Sequence, residues 1–210
     1  MIATSRRPLL LGLAAAALAG GTARAQSVDI ARATAFIQET GEQMVTAING
    51  QGVPLAQRRE RVAAILRRAV DVEGVGRFIL GRYWRTASPD QQAEYLRLFE
   101  EVLIRNLSAR FGEYQGVRFG MGRSQARTED DVLVNTVIER PGSAAFGLDW
   151  RVAEVGGQPR VVDVIAEGTS LRLTTRSEYS SVITRNGGNV GALLTAMRQQ
   201  IQQLASREGG

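Results

Sequence analysis

The chain contains no cysteine and no histidine, and all 26 of its basic side chains are arginine. Without cysteine there is neither a disulfide framework nor a thiolate site. Without histidine the commonest general base and metal ligand is missing. Without lysine there is no Schiff-base chemistry. Catalysis would have to rest on Asp, Glu, Tyr, Ser or Thr, so the composition weighs against an enzyme. No catalytic residue, metal site or cofactor is expected. The formal net charge is only +5 over 210 residues. Its high isoelectric point partly reflects the strength of arginine and the lack of His and Lys, so nucleic acid is not an expected partner. No G-x-x-x-x-G-K phosphate loop is present, so any energy from ATP would come from a partner.

What is present begins with a targeting segment. Arg6-Arg7 is a basic patch, Leu9 to Ala19 is a short apolar run, and Ala23-Arg24-Ala25 has the small-x-small form of a cleavage site. Residues 1–25 therefore read as a cleaved signal peptide and residues 26–210 as one mature domain. Ser5-Arg6-Arg7-Pro8-Leu9-Leu10 also fits a twin-arginine signal, so export by the Sec or the twin-arginine route is left open. The apolar run is too short for a permanent membrane span, and no later run approaches that length. Residues 1–25 carry three arginines and no acid, so cleavage lowers the formal charge to +2.

The mature chain turns on the stretch from Leu80 to Gln92. Gly81 ends the apolar run Val75, Phe78, Ile79, Leu80, where a positive φ favours glycine. Ser88-Pro89-Asp90-Gln91 then starts a helix, with Ser88 as N-cap, Pro89 at the first position and Gln91 completing a capping box. Before it, apolar residues at helical spacing predict a helix capped by Ser27 with Ile30, Ala33, Ile37, Gly41, Met44 and Ile48 on one face. A second helix starts with Pro54 at its first position, and a third runs from about Val72 to Leu80. The fourth, from about Pro89 to Tyr114, carries Tyr95, Phe99, Val102, Leu103, Leu107 and Phe111.

From Val117 the apolar period changes from 3.6 to 2. Val117, Phe119 and Met121 form one run, and Val132, Val134, Thr136 and Ile138 the next. Phe146, Leu148, Trp150 and Val152 follow, then Val162, Val164 and Ala166 after a Gly-Gly turn. These predict about four antiparallel strands with one apolar face, closed at Gly168. Two more helices carry Tyr179, Val182, Ile183, and then Val190 to Leu204. The fold class is α+β: one domain in which a curved antiparallel sheet packs against helices from both ends of the chain. The apolar inventory exceeds one sheet face, so the residues form either a filled core or the lining of a cavity.

Two stretches resemble a known family. "LGRYWRTASPDQQAEYLRLF" (80–99) and "VVDVIAEGTSLRLTTRSEYSSVI" (161–183) look like the signatures of the MlaC, or toluene-tolerance, family of periplasmic phospholipid-binding proteins. The resemblance runs from roughly Val28 to Leu204. It implies an MlaC-type fold, similar to an NTF2-like cone with extra helices, and an apolar cavity for phospholipid acyl chains. The lining it implies is Tyr83, Trp84, Phe99, Leu103, Leu107, Phe119, Val134, Ile138, Phe146, Leu148, Trp150, Val152, Val162, Val164 and Tyr179. Arg82, Arg85, Arg172 and Arg176 flank the two motifs and could meet a headgroup or a partner, or simply be solvated or paired. Asp163 is more readily structural. The implied activity is that of a periplasmic carrier shuttling lipid between outer and inner membranes. Its implied partners are an inner-membrane ABC transporter complex with an MCE-domain subunit and an outer-membrane lipoprotein complex.

Three alternatives remain, the first of them implied only by the family resemblance. A hopanoid carrier of the same family would need a wider, flatter pocket. An NTF2-like enzyme would recruit Asp149, Asp163, Tyr95 or Tyr179, but both aspartates alternate away from Trp150 and Val164. A plain interaction module would have a filled core and carry no lipid.

Overall fold

A computed structural model describes residues 29–50, 52–111 and 114–208. The signal-peptide segment and Ser27 lie outside them. Helix α1 spans Ile30–Asn49, and its cap is Asp29, whose carboxylate accepts from Ala31 N at 3.4 Å. Helix α2 spans Leu55–Ala69, with Pro54 as N-cap just outside the helix rather than at its first position. Helix α3 is Val72–Leu80, capped by Asp71.

The corner forms as its residues predict. Gly81 takes φ 58°, and a 3-10 turn runs over Gly81–Arg85. Helix α4, Pro89–Ser108, opens with the full capping box: Gln91 N donates to Ser88 Oγ at 3.2 Å and Ser88 N donates to Gln91 Oε1 at 3.0 Å. Gln92 also donates to Trp84 O at 2.8 Å, binding corner to helix. Helix α4 ends at Ser108, short of the predicted Tyr114. A series of turns follows, so Phe111 reaches the core from a turn.

The sheet has five strands in the order β1-β2-β3-β4-β5, all antiparallel, and its ends do not close. They are β1 Arg118–Ala126, β2 Asp131–Glu139, β3 Phe146–Val155, β4 Gln158–Ala166 and β5 Thr169–Ser170. The fifth strand corrects the expected four. Glu167 and Gly168 both have positive φ, at 51° and 77°, so they form a two-residue turn that folds Thr169–Ser170 back onto Ile165–Ala166. Helices α5, Leu171–Arg185, and α6, Val190–Glu208, complete the chain.

A bulge changes the phase of β4. Arg151 pairs with Asp163 but Val152 pairs with Val161, so Val162 is the extra residue. Val161, rather than Val162, joins the inner face beside Val152. Val162 packs instead with the helical core. The main chain here is used from both sides: Asp71 N donates to Val161 O at 3.1 Å, and Arg172 Nη1 reaches Val162 O at 3.4 Å.

Three apolar clusters fill the domain. The largest joins α3, the corner, α4, α5 and α6, around Tyr95, Leu80, Ile183, Leu193 and Met197. A second lies where Ala33 and Ile37 of α1 meet Val132, Val134, Val152 and Val161. A third lies where the end of α1 and α2 meet Phe111, Val117 and Ile138. Among the described residues, no helix is long and apolar enough to cross a membrane.

Candidate functional site

Alternation along the strands gives the sheet an inner face that α1 crosses. Along β2, Val132, Val134, Thr136 and Ile138 are buried while Val137 and Glu139 are exposed. On β1 and β3, Val152 is fully buried, while the inward side chains Phe119, Met121, Phe146, Leu148 and Trp150 are only half-buried. Val164 on β4, Phe36 and Met44 on α1, and Leu107 on α4 share this state. They sit at the edges of the two sheet-side clusters. These half-buried groups make the inward side of the sheet a broad apolar face, separate from the helical core around Tyr95 and Leu193.

One polar device lies within that face. Trp150 Nε1 donates to Thr136 Oγ1 at 2.8 Å, and Thr136 is completely buried. The indole thus keeps its polar edge satisfied on the sheet while its rings remain part of the apolar surface.

The expected lining residues divide between the clusters. Phe119, Val134, Ile138, Phe146, Leu148, Trp150, Val152 and Val164 lie on the sheet side, joined by Leu107. Tyr83, Trp84, Phe99, Leu103, Val162 and Tyr179 belong to the helical core. Tyr95 and Phe99 stack with centroids 6.0 Å apart, and Tyr179 meets Tyr95 edge-on at 6.3 Å. Tyr95 donates to Gly76 O at 3.0 Å, tying α4 to α3. Burial pushes both phenols up, Tyr179 to about 12. These rings are core struts, each held by packing or a main-chain partner.

The inner face of α1, which the strand pattern did not point to, also packs on this side of the sheet. Ile37, Phe36 and Met44 meet the strands there. The helical spacing of Ile37 and Met44 carried the signal. No strand pattern, however, says which helix will cross the sheet. Gly41 in the same helix allows Phe119 to lie against the α1 backbone, since a Cβ there would fall 2.4 Å from the ring.

The carboxylates weighed for catalysis face away from this surface. Asp149 accepts from Asn135 Nδ2 at 2.8 Å across the outer face. Asp163 is buried and anchors the start of α5: it accepts from Ser170 Oγ at 2.6 Å, Val164 N at 2.9 Å and Arg172 N at 3.2 Å. Arg172 Nε lies 3.3 Å from its Oδ2, an ion pair out of line for a hydrogen bond. Burial first, then the nearby Arg151, lowers the Arg172 pKa. The guanidinium also stacks 4.2 Å from the Phe78 ring centre, so Arg172 is fastened into the fold. Arg151 in turn pairs with the buried Asp131.

The other three arginines lie near the corner. Arg85 is exposed. Arg82 donates to Tyr83 Oη at 2.7 Å, and the same oxygen is 2.8 Å from Thr184 Oγ1. The Thr184 and Arg82 contacts hold the Tyr83 phenol below its ordinary pKa. Arg176 donates to Phe78 O at 3.1 Å. Two clefts open on the surface. One of about 270 Å³ includes Arg82, Tyr83, Arg176 and Ser180; another of about 540 Å³ lies between α1 and α2, along Glu42, Thr46, Arg61 and Ile65. Neither is lined by the expected sheet-face residues. Among the described residues, no group of three or more Asp or Glu could hold a metal ion.

Comparison with known proteins agrees with this architecture. The family model described as "MlaC protein" matches residues 38–199. The intermembrane phospholipid transport system binding protein MlaC of Haemophilus influenzae is 21% identical over 177 residues, covering 80% of this chain and 81% of that protein. The toluene tolerance protein Ttg2D of Pseudomonas putida is 24% identical over 127 residues, 60% of this chain and 59% of its own length. A phospholipid-binding protein from Ralstonia solanacearum, solved in complex with a phospholipid, superposes with a TM-score of 0.73 at 24% identity. The match covers 82% of this chain and 98% of that one. With a family match spanning most of its length and a helix-crossed, unclosed sheet of the same fold, the chain belongs to the MlaC protein family.

Proposed function

We propose that this protein is a soluble lipid carrier that holds phospholipid acyl chains against the inner face of its sheet. One observation carries this: half-buried apolar side chains, among them Phe119, Leu148, Trp150 and Val164, on the inner face of the sheet that α1 crosses. Its relatives' names supply the ligand class: one is a phospholipid transport binding protein and another was solved with a phospholipid. A sixteen-carbon chain in water is unfavourable by about 12 kcal/mol, at roughly 0.8 kcal/mol per methylene. An apolar protein face offsets that term. Because donor and acceptor bilayers are apolar too, loading and unloading stay near balance, as a shuttle needs.

The carrier works in the periplasm after cleavage of residues 1–25. It moves lipid between the outer and inner membranes, meeting a lipoprotein complex at one and an MCE-containing ABC transporter at the other. Motion of α1, which packs against β1, β2 and β4, would uncover the inner face. Transfer of a self-quenched fluorescent phospholipid from donor to acceptor vesicles tests this. Wild-type protein should raise the transfer rate in proportion to its concentration, and Leu148→Arg should not. Transfer no faster than the vesicles alone would refute the carrier function.

A further inference from the structure

The cleft of about 270 Å³ between the corner and α5 has features of a built anion site. Two arginines line it. Arg82 is held over the Tyr83 ring at 4.8 Å and by the Tyr83 hydroxyl. Arg176 is held over the Phe78 ring at 4.8 Å and by the Phe78 carbonyl. The second group lies against Gly81, where a Cβ would come within 3.0 Å of Arg176 Nη2. Ser180 adds a hydroxyl to the lining.

Neither arginine is paired with a carboxylate among the described residues. By contrast Arg32, Arg67, Arg77, Arg118, Arg151 and Arg198 each hold one. Two cations lining one cleft and held by neutral partners leave it a net positive charge, which an oxyanion could meet with charge-assisted hydrogen bonds.

We propose that this cleft docks an acidic segment of a partner protein, with a glutamate or aspartate side chain held between Arg82 and Arg176. A bound lipid's own phosphate is the poorer fit. No residue of the cleft belongs to either sheet-side cluster, and its inner wall is Leu80 and Tyr83, both buried in the helical core. The site therefore opens on a different part of the molecule from the apolar face. It does not depend on the lipid proposal. Exposed Arg85 in the same corner adds to the local positive field.

The test uses the full mature protein and a fluorescein-labelled hexaglutamate peptide, read by anisotropy at low salt. Arg82→Gln/Arg176→Gln should weaken binding by about tenfold or more. Ser180→Glu should do the same with both arginines in place, by supplying the cleft with its own carboxylate. The charge-matched Arg110→Gln/Arg123→Gln, exposed and outside the cleft, should change binding less than twofold. Lipid content, measured in parallel by native mass spectrometry, should be equal in all four proteins. Equal weakening by the cleft and control pairs would overturn the site. Lipid loss in step with peptide loss would make it a headgroup clamp instead. Binding to phosphatidylglycerol vesicles but not to the peptide would make it a membrane contact.

Discussion

The ring of Phe119 meets α1 at Gly41, where a Cβ would lie 2.4 Å from Cζ. This glycine sets how closely the helix approaches the sheet. In an ordinary exposed helix, Gly→Ala stabilises by about 1 kcal/mol. Here Gly41→Ala should destabilise by about 1–3 kcal/mol, because the ring must leave its position. Urea unfolding measures this, and Gly41→Ala/Phe119→Leu should recover most of the loss. A more stable Gly41→Ala would contradict the packing described.

The Trp150–Thr136 hydrogen bond makes a second prediction. Thr136→Val removes the acceptor from the indole N–H and should cost about 1–2 kcal/mol. In a Trp84→Phe background Trp150 is the sole indole, since the chain has two tryptophans. Its emission should shift to the blue when lipid is loaded from vesicles. Unchanged emission on loading would place the lipid elsewhere.

Asp163 joins β4 to the start of α5 through two hydrogen bonds, from Ser170 Oγ and Arg172 N, and the Arg172 ion pair. Asp163→Ala strands a largely buried guanidinium and should destabilise by about 3–5 kcal/mol. Ser170→Ala loses the α5 cap and should cost about 1 kcal/mol. The double variant should lose less than the two combined, because both remove the same 2.6 Å bond. Strict additivity in chemical denaturation would show the network is not shared.

The pH dependence follows from what titrates. With no histidine or cysteine, stability should be flat from about pH 6 to pH 9. Tyr179 titrates near 10 when unfolded and near 12 when folded. Below pH 10 both states keep the proton. Between pH 10 and 12 the unfolded chain releases it and the folded chain does not, so stability falls, by about 3 kcal/mol for this phenol at the upper end. Tyr95 acts in the same direction and Tyr83 in the opposite one. Tyr179→Phe should flatten the alkaline limb of the melting temperature against pH. A transition between pH 6 and pH 8 would contradict the assignment.

The elements were legible wherever local chemistry decides them. The Ser88–Gln91 capping box, the Gly81 corner and the alternating run Phe146 to Val152 all formed as read, because caps, turns and pleats act over a few residues. Events that depend on distant neighbours were not legible. The β4 bulge takes Val162 off the inner face where Asp71, some ninety residues earlier in the chain, donates to the Val161 carbonyl and Arg172 of the next helix reaches the Val162 carbonyl. The residues expected to line a cavity fall in two separate clusters, and that division was not legible either. Tyr83, Phe99 and Tyr179 show the same apolar periodicity as a pocket wall, and only their partners in α5 and α6 make them core. Arg172 looked like its neighbour Arg176 until Asp163 was found beneath it.

The central claim is that lipid lies against the sheet face beneath α1, and occupancy tests it most directly. Native mass spectrometry of the mature protein, purified from a periplasmic extract without detergent, would be followed by lipid extraction. Wild-type protein should carry a bound mass that resolves to a diacyl phospholipid, and Trp150→Arg should be folded and empty. An unliganded wild-type protein after incubation with phospholipid vesicles, or a Trp150→Arg variant as fully loaded as wild type, would contradict the account.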